Sequence, residues 1–307
     1  MTTRVDIREV GPRDGLQIEE PISTPAKFRF LQALLATGVR RLEVTAFVSP
    51  RAVPALADAD AVGAHVAALR ASHPGVVFSA LVANPRGARR AIAAGITDLE
   101  YVVSAGEGHS QANARRSTAQ ALDAITEIAA TAHDAGGRCE VIVATAWDCP
   151  FDGPTPPGRT VEICRRAVDS GADQLCLGDT IGTTVPGRVS RLVEAVREAV
   201  GEVALGAHFH NTRGTGLASA WAALGAGVTM LDASAGGLGG CPFAPGATGN
   251  IATEELVYLL EDSGISTGLD LHAALAAARL AEELVGHRCA SNLLRAGGPS
   301  RPRPRLE

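Results

Sequence analysis

The chain of 307 residues is 46% hydrophobic and 20% charged, with a formal net charge of −5. This balance supplies a large core and no global positive field, which argues against nucleic acid and anionic membranes as partners. No run approaches the roughly 18 uninterrupted apolar residues of a membrane helix, and the N-terminal stretch lacks an apolar signal region, so a soluble, cytoplasmic protein is expected.

Residues 5–10 read as a first strand, and Ser23-Thr24-Pro25 as a helix start, a capping hydroxyl followed by a proline suited to the first turn. From there one punctuation recurs: an Ala/Leu-rich helical segment ends at a glycine, and a short β-branched run follows. It appears as 34–38 before 42–45, 91–95 before 99–103, 132–137 before 140–143, 167–171 before 174–177, and 223–227 before 230–233. Residues 77–82 and 203–209 complete a set of eight strands alternating with helices at roughly 30-residue spacing, the pattern of a parallel (β/α)8 TIM barrel. An open doubly wound sheet is the competing arrangement, but no Gly-x-Gly-x-x-Gly or Walker pattern supports a nucleotide version of it. Residues 1–264 are expected to form the catalytic barrel, 265–295 a small C-terminal helical extension, and 296–307 a disordered tail. The extension would pack beside the barrel or serve an oligomer contact. The six cysteines (139, 149, 164, 176, 241 and 289) form no Cys-x-x-Cys pair and read as free thiols of a reducing compartment.

In such a barrel, chemistry lies at the carboxyl ends of the strands. Strand one ends in Gly11-Pro12-Arg13-Asp14-Gly15, offering one cation and one hard oxygen ligand, or else a surface ion pair on a turn. Strand seven ends in His208-Phe209-His210. Side chains two apart on a strand share a face, so both imidazoles aim at one region while Phe209 turns toward the helices. Two satisfied core histidines are the alternative, less favoured because both rings would need buried partners. With Asp14 they form a two-nitrogen, one-oxygen set suited to Mg²⁺, Mn²⁺, Co²⁺ or Zn²⁺. After strand eight, the glycine-dense run 236–246 carries Cys241, a reactive thiol on a lid or an incidental small residue. Asn250 either lends an amide oxygen to the metal or caps the next helix. Glu43 and Asp179 add carboxylates inside or above the barrel, which need partners such as Arg13 and the metal.

These motifs, together with Glu43-Val44-Thr45-Ala46-Phe47-Val48-Ser49-Pro50, Leu177-Gly178-Asp179-Thr180-Ile181-Gly182 and the run 237–254, resemble the 3-hydroxy-3-methylglutaryl-CoA (HMG-CoA) lyase family. That family sits within a wider group of barrel metallolyases and Claisen-type synthases. The resemblance spans residues 5–268, and its cysteine loop is specific to the lyase branch. It implies a divalent metal, Mg²⁺ or Mn²⁺ first, on Asp14, His208, His210 and Asn250, with Arg13 stabilising an enolate. Cys241 would sit on a mobile lid, Glu43 and Asp179 would support the site, and Asp179 or Cys241 would handle protons. An acyl-CoA substrate and a homodimer or higher homo-oligomer are expected. The reaction implied is cleavage to acetyl-CoA and a keto acid. Asn211, Arg213 and Thr215 stand where familiar members carry Asp, Tyr and Gln. Those departures leave room for citramalyl-CoA or a longer 3-hydroxy-3-alkylglutaryl-CoA, while a condensing synthase or aldolase is the neighbouring reaction.

Overall fold

Hydrogen-bonded pairing joins the first strand to the last. The computed structural model describes residues 4–240 and 249–298. Its barrel strands are β1 (Asp6–Glu9), β2 (Arg41–Phe47), β3 (Val77–Val82), β4 (Asp98–Ser104), β5 (Cys139–Ala144), β6 (Gln174–Asp179), β7 (Ala204–Phe209) and β8 (Met230–Ala233). Every neighbouring pair is parallel. β1 bonds to β8 through Asp6↔Met230 and to β2 through Arg8↔Arg41, so the sheet closes and the open-sheet alternative is excluded. The expected TIM barrel is the fold observed.

Local chemistry sets the helices as the sequence pattern implies. Helix α1 (Thr24–Leu35) starts at Ser23, whose hydroxyl accepts from the Ala26 amide at 3.3 Å. Most of the helix-ending glycines take the left-handed conformation, but at Gly136-Gly137 the task is divided. Gly136 supplies the positive φ, whereas Gly137 must lack a side chain because a Cβ there would lie 2.0 Å from the Thr97 carbonyl oxygen.

The core has two parts of different character. Between strands and helices it is apolar, built on Phe30, Leu34, Val62, Phe78, Val193 and Phe209. Inside the barrel, Arg8, Glu43, Glu100, Glu140 and Asp232 are all buried, so a charged floor replaces the usual layers of branched aliphatics. The alternation along β1 and β8 produces this split, since neighbours such as Ile7 and Leu231 turn to the helix side.

Beyond the barrel, α2 (Leu271–Val285) lays Ala274, Leu275, Ala277, Ala278 and Ala281 into the molecule and packs on α1. Residues 265–295 therefore lie beside the barrel, tied to it by bonds such as Val5 N–H to Ser266 O at 3.0 Å and Ser291 N–H to Gly236 O at 3.1 Å. The expected tail from residue 299 onward lies outside the described residues. Among the described residues no helix is long and apolar enough to cross a membrane, and their five cysteines are all free and buried.

Candidate metal centre

Immediately after β1 the chain makes one wide turn over Gly11–Gly15, closed by bonds from Gly15 N–H to Val10 O and from Leu16 N–H to Gly11 O. Such a π-type turn holds an extra residue relative to an α-turn and often marks a functional site. It turns Arg13 and Asp14 inward over the strand ends, where both are buried. Arg13 Nη1 meets Asp14 Oδ1 and its Nε meets Glu43 Oε1, each at 2.6 Å. Glu43 is presented by β2, whose pairing with β3 slips between Glu43 and Thr45, a bulge of the kind found beside active sites.

Opposite, β7 delivers His208 and His210 with their Nε2 atoms 3.1 Å apart. Asp14 Oδ2 lies 4.0 Å from His208 Nε2 and 3.9 Å from His210 Nε2. Phe209 between them is fully buried on the other side, its ring 5.7 Å from that of Trp147. Ligand atoms about 2.1 Å from one cation and at right angles would lie about 3 Å apart. The triangle is thus of the size that a single divalent ion would draw together by a few tenths of an ångström on each arm.

Asn250 approaches on a short run beside β7 and the end of β8, fixed by Asn211 N–H to Gly249 O and Ser234 N–H to Ile251 O. Its amide nitrogen donates to Asp14 Oδ2 at 2.8 Å and to Leu238 O at 2.9 Å, while its Oδ1 is buried with no partner. An orphaned buried oxygen beside a carboxylate and two imidazoles is what a fourth ligand looks like before the ion is counted. The helix-cap alternative for Asn250 fails, because the following helix begins only at Thr253, with Ala252 at its cap.

Electrostatics favours ionised and neutral ligands in the right places. Burial pushes Asp14 up, but Arg13, the two histidines and the Asn250 hydrogen bond outweigh it and hold the carboxyl at about 2. Burial, followed by repulsion from His208, brings His210 down to about 4, leaving a lone pair available at neutral pH. Burial drives Glu43 well above its ordinary value, a rise that Arg13 opposes and Glu100 reinforces.

The remaining expected residues fall in different places. Asp179 ends β6 beside the His208 strand, but its oxygens accept from the Thr183 and Thr184 amides at 3.0 and 3.2 Å, and it stays outside the ligand triangle. Arg213 is exposed, and its Nη1 donates to the carbonyls of Ile181 and Gly182 rather than standing free at the mouth. Asn211 Oδ1 accepts from the Gly216 amide, a second departure engaged in local structure. Cys241 and its loop to residue 248 lie outside the described residues.

One functional group was missed by reading strand ends alone. Asp232, in the middle of β8, accepts from His208 Nδ1 at 3.0 Å and fixes the ring so that Nε2 faces the triangle. Its signal was a lone carboxylate in an otherwise apolar run, Met230-Leu231-Asp232-Ala233, and Glu140 in Cys139-Glu140-Val141-Ile142 carries the same signal.

A closed parallel barrel with a buried carboxylate–imidazole cluster at the carboxyl ends of its strands defines the TIM-barrel class of enzyme. The family model described as HMGL-like matches residues 4–281, and the chain belongs to that family, a family of lyases. It is 41% identical over 280 residues to "(R)-citramalyl-CoA lyase" of Chloroflexus aurantiacus, covering 89% of this chain and 88% of that one. To "Hydroxymethylglutaryl-CoA lyase YngG" of Bacillus subtilis it is 40% identical over 286 residues, 92% of this chain and 94% of that one. An HMG-CoA lyase of Acinetobacter baumannii, solved with coenzyme A and 3-methylmalate, superposes with a TM-score of 0.92 at 37% identity, covering 98% of each chain.

Proposed function

We propose that the chain cleaves the C2–C3 bond of an HMG-CoA-like thioester to acetyl-CoA and a keto acid, acetoacetate if the substrate is HMG-CoA. Asp14, His208, His210 and Asn250 would hold a divalent cation, Mg²⁺ or Mn²⁺ before Co²⁺ or Zn²⁺. The observation that carries this reading is the buried triangle of Asp14, His208 and His210 with Arg13 locked beside it. When bound, the cation supplies a Lewis acid that lowers the pKa of a coordinated hydroxyl.

The chain's own groups account for the rest. A base takes the proton of the 3-hydroxyl, a role proposed for Asp179 or for Cys241. As the carbonyl forms at C3, the C2–C3 electron pair moves to C2 and charge develops on the thioester oxygen. Arg13 is pinned through Nε and Nη1, so its Nη2 edge is preorganised to meet that oxygen without reorganisation. Return of a proton to C2 completes acetyl-CoA.

Citramalyl-CoA is the second substrate reading, favoured by the relative of that name at 41% identity. Both thioesters carry a second carboxylate and a tertiary hydroxyl, so one assay decides between them. Acetyl-CoA release is measured from HMG-CoA and citramalyl-CoA with Mg²⁺ or Mn²⁺, and the preferred substrate is the one with higher kcat/KM. Release from neither would move the assay to longer 3-hydroxy-3-alkylglutaryl-CoA thioesters, and release from no member of that panel would favour a condensing synthase or aldolase over the lyase.

A further inference from the structure

Beneath the proposed metal ligands, the barrel floor holds one cation that no part of the reaction uses. Arg8 grips Asp232 with two parallel bonds, Nε to Oδ1 at 2.9 Å and Nη2 to Oδ2 at 2.8 Å. Its Nη1 lies 2.9 Å from Glu100 Oε1 and also donates to Glu140 Oε2. Asp232 Oδ2, the oxygen that Arg8 Nη2 holds, is the one that accepts from His208 Nδ1. On its other side Glu100 Oε1 also accepts from the Ser79 hydroxyl. Every member is buried, so a continuous set of hydrogen bonds runs Glu140–Arg8–Asp232–His208 under the site, with Glu100 paired to the same guanidinium.

We propose that Arg8 is a positioning residue for the metal centre: its bidentate grip fixes the Asp232 carboxylate, which in turn fixes the orientation and tautomer of His208. The inference rests on the metal-binding reading given above. A guanidinium suits the place because its planar fork satisfies two oxygens of one carboxylate and still reaches a second pair of acids. A lysine has one nitrogen and cannot do both. Were Arg8 present only to neutralise buried carboxylates, any change that removed the excess charge would serve as well.

That contrast supplies the test. Mn²⁺ affinity is measured by titration on the purified full chain for wild type, Arg8→Lys, Arg8→Met and the triple variant Arg8→Met/Glu100→Gln/Glu140→Gln. The triple variant removes the uncompensated acids and so guards against simple misfolding, with circular dichroism as the check. Carboxylates that orient metal-bound histidines typically account for 10–100-fold in affinity. A folded triple variant should therefore bind Mn²⁺ about 10–100-fold more weakly than wild type, with the lysine variant in between. Its His208 ring nitrogens should lose the single-tautomer ¹⁵N pattern of the wild type. Wild-type affinity in the triple variant would overturn the positioning role and leave Arg8 a counter-ion. Absence of Mn²⁺ binding by the wild-type protein would instead overturn the metal reading on which it rests.

Discussion

Arg13 couples two jobs in one side chain. It faces the reacting oxygen in the proposed chemistry and it is the chief attraction that holds Asp14 ionised against burial. Arg13→Gln should lower kcat by about 10²–10³-fold or more, the cost of losing one preorganised oxyanion donor. Near neutral pH the Mn²⁺ content should persist, because Asp14 remains ionised there even without its guanidinium partner. A variant with kcat near wild type would sink the assignment. His109 offers a residue-scale prediction on stability. It is buried beside Ser104, whose hydroxyl lies 2.7 Å from its Nδ1, and burial pushes it down to about 4. Its unfolded-state value is the ordinary 6.5, so the unfolded chain binds the extra proton first as the solution is acidified. Stability is therefore complete above about 6.5 and lost progressively toward pH 4, about 2 kcal/mol by pH 5. Because buried acids such as Glu140 change stability in the opposite sense over this range, the test is the difference between two chains. Between pH 7.5 and pH 5, urea unfolding of wild type should change about 2 kcal/mol more unfavourably than that of His109→Gln, and an equal change would refute it. At this scale the sequence was generous wherever geometry is local. His208 and His210 share a face because they are two apart, and Arg13-Asp14 follows a strand end. Arg8 and Asp232 meet across 224 residues, and no local pattern announces such a pairing.

Elements, rather than single side chains, bring the fourth ligand to the site. Asn250 depends on residues 249–252 running between the ends of β7 and β8, and that run has no room for bulk. A Cβ at Gly249 would sit 2.2 Å from Gly239 O and 2.6 Å from Gly237 O. Gly249→Ala must shift one of these backbones and swing the Asn250 amide away from Asp14. We expect Mn²⁺ affinity to fall at least about tenfold, with far-UV circular dichroism unchanged. Unaltered affinity would show that Asn250 is not a ligand. The helix–glycine–strand repeat was readable because it recurs with one period. The wide turn at Gly11–Gly15 and the slip in β2 were not, since each is a single-residue departure that only the closed barrel enforces. The short antiparallel pair Asp148–Cys149 and Gly153–Pro154 after β5 was likewise invisible, being two residues on each side.

Closure of the barrel concentrates charge as well as shape. Eight alternating strands could be counted from the sequence, but β1 is four residues long, and its pairing with β8 joins opposite ends of the chain. Once closed, the sheet buries Asp14, Glu43, Glu100, Glu140 and Asp232 with, among the described residues, only Arg8 and Arg13 as interior guanidinium partners. Burial holds Glu140 at about 7 despite Arg8, so part of this acid excess is carried as bound protons. A divalent cation on the proposed ligands would add two positive charges over that floor and bind the native state alone. Ligand linkage then requires stabilisation by RT ln(1 + [M]/Kd), about 2.7 kcal/mol at a hundredfold excess over Kd. For a chain of this length that corresponds to a rise in Tm of about 4 °C. Thermal scans should show the rise with Mn²⁺ and its reversal by EDTA in the wild-type chain. In Asp14→Asn the ligand oxygen remains but its charge and its ion pair with Arg13 are gone, so the shift should shrink to within error. An undiminished shift in Asp14→Asn would place the stabilising ion somewhere other than this triangle.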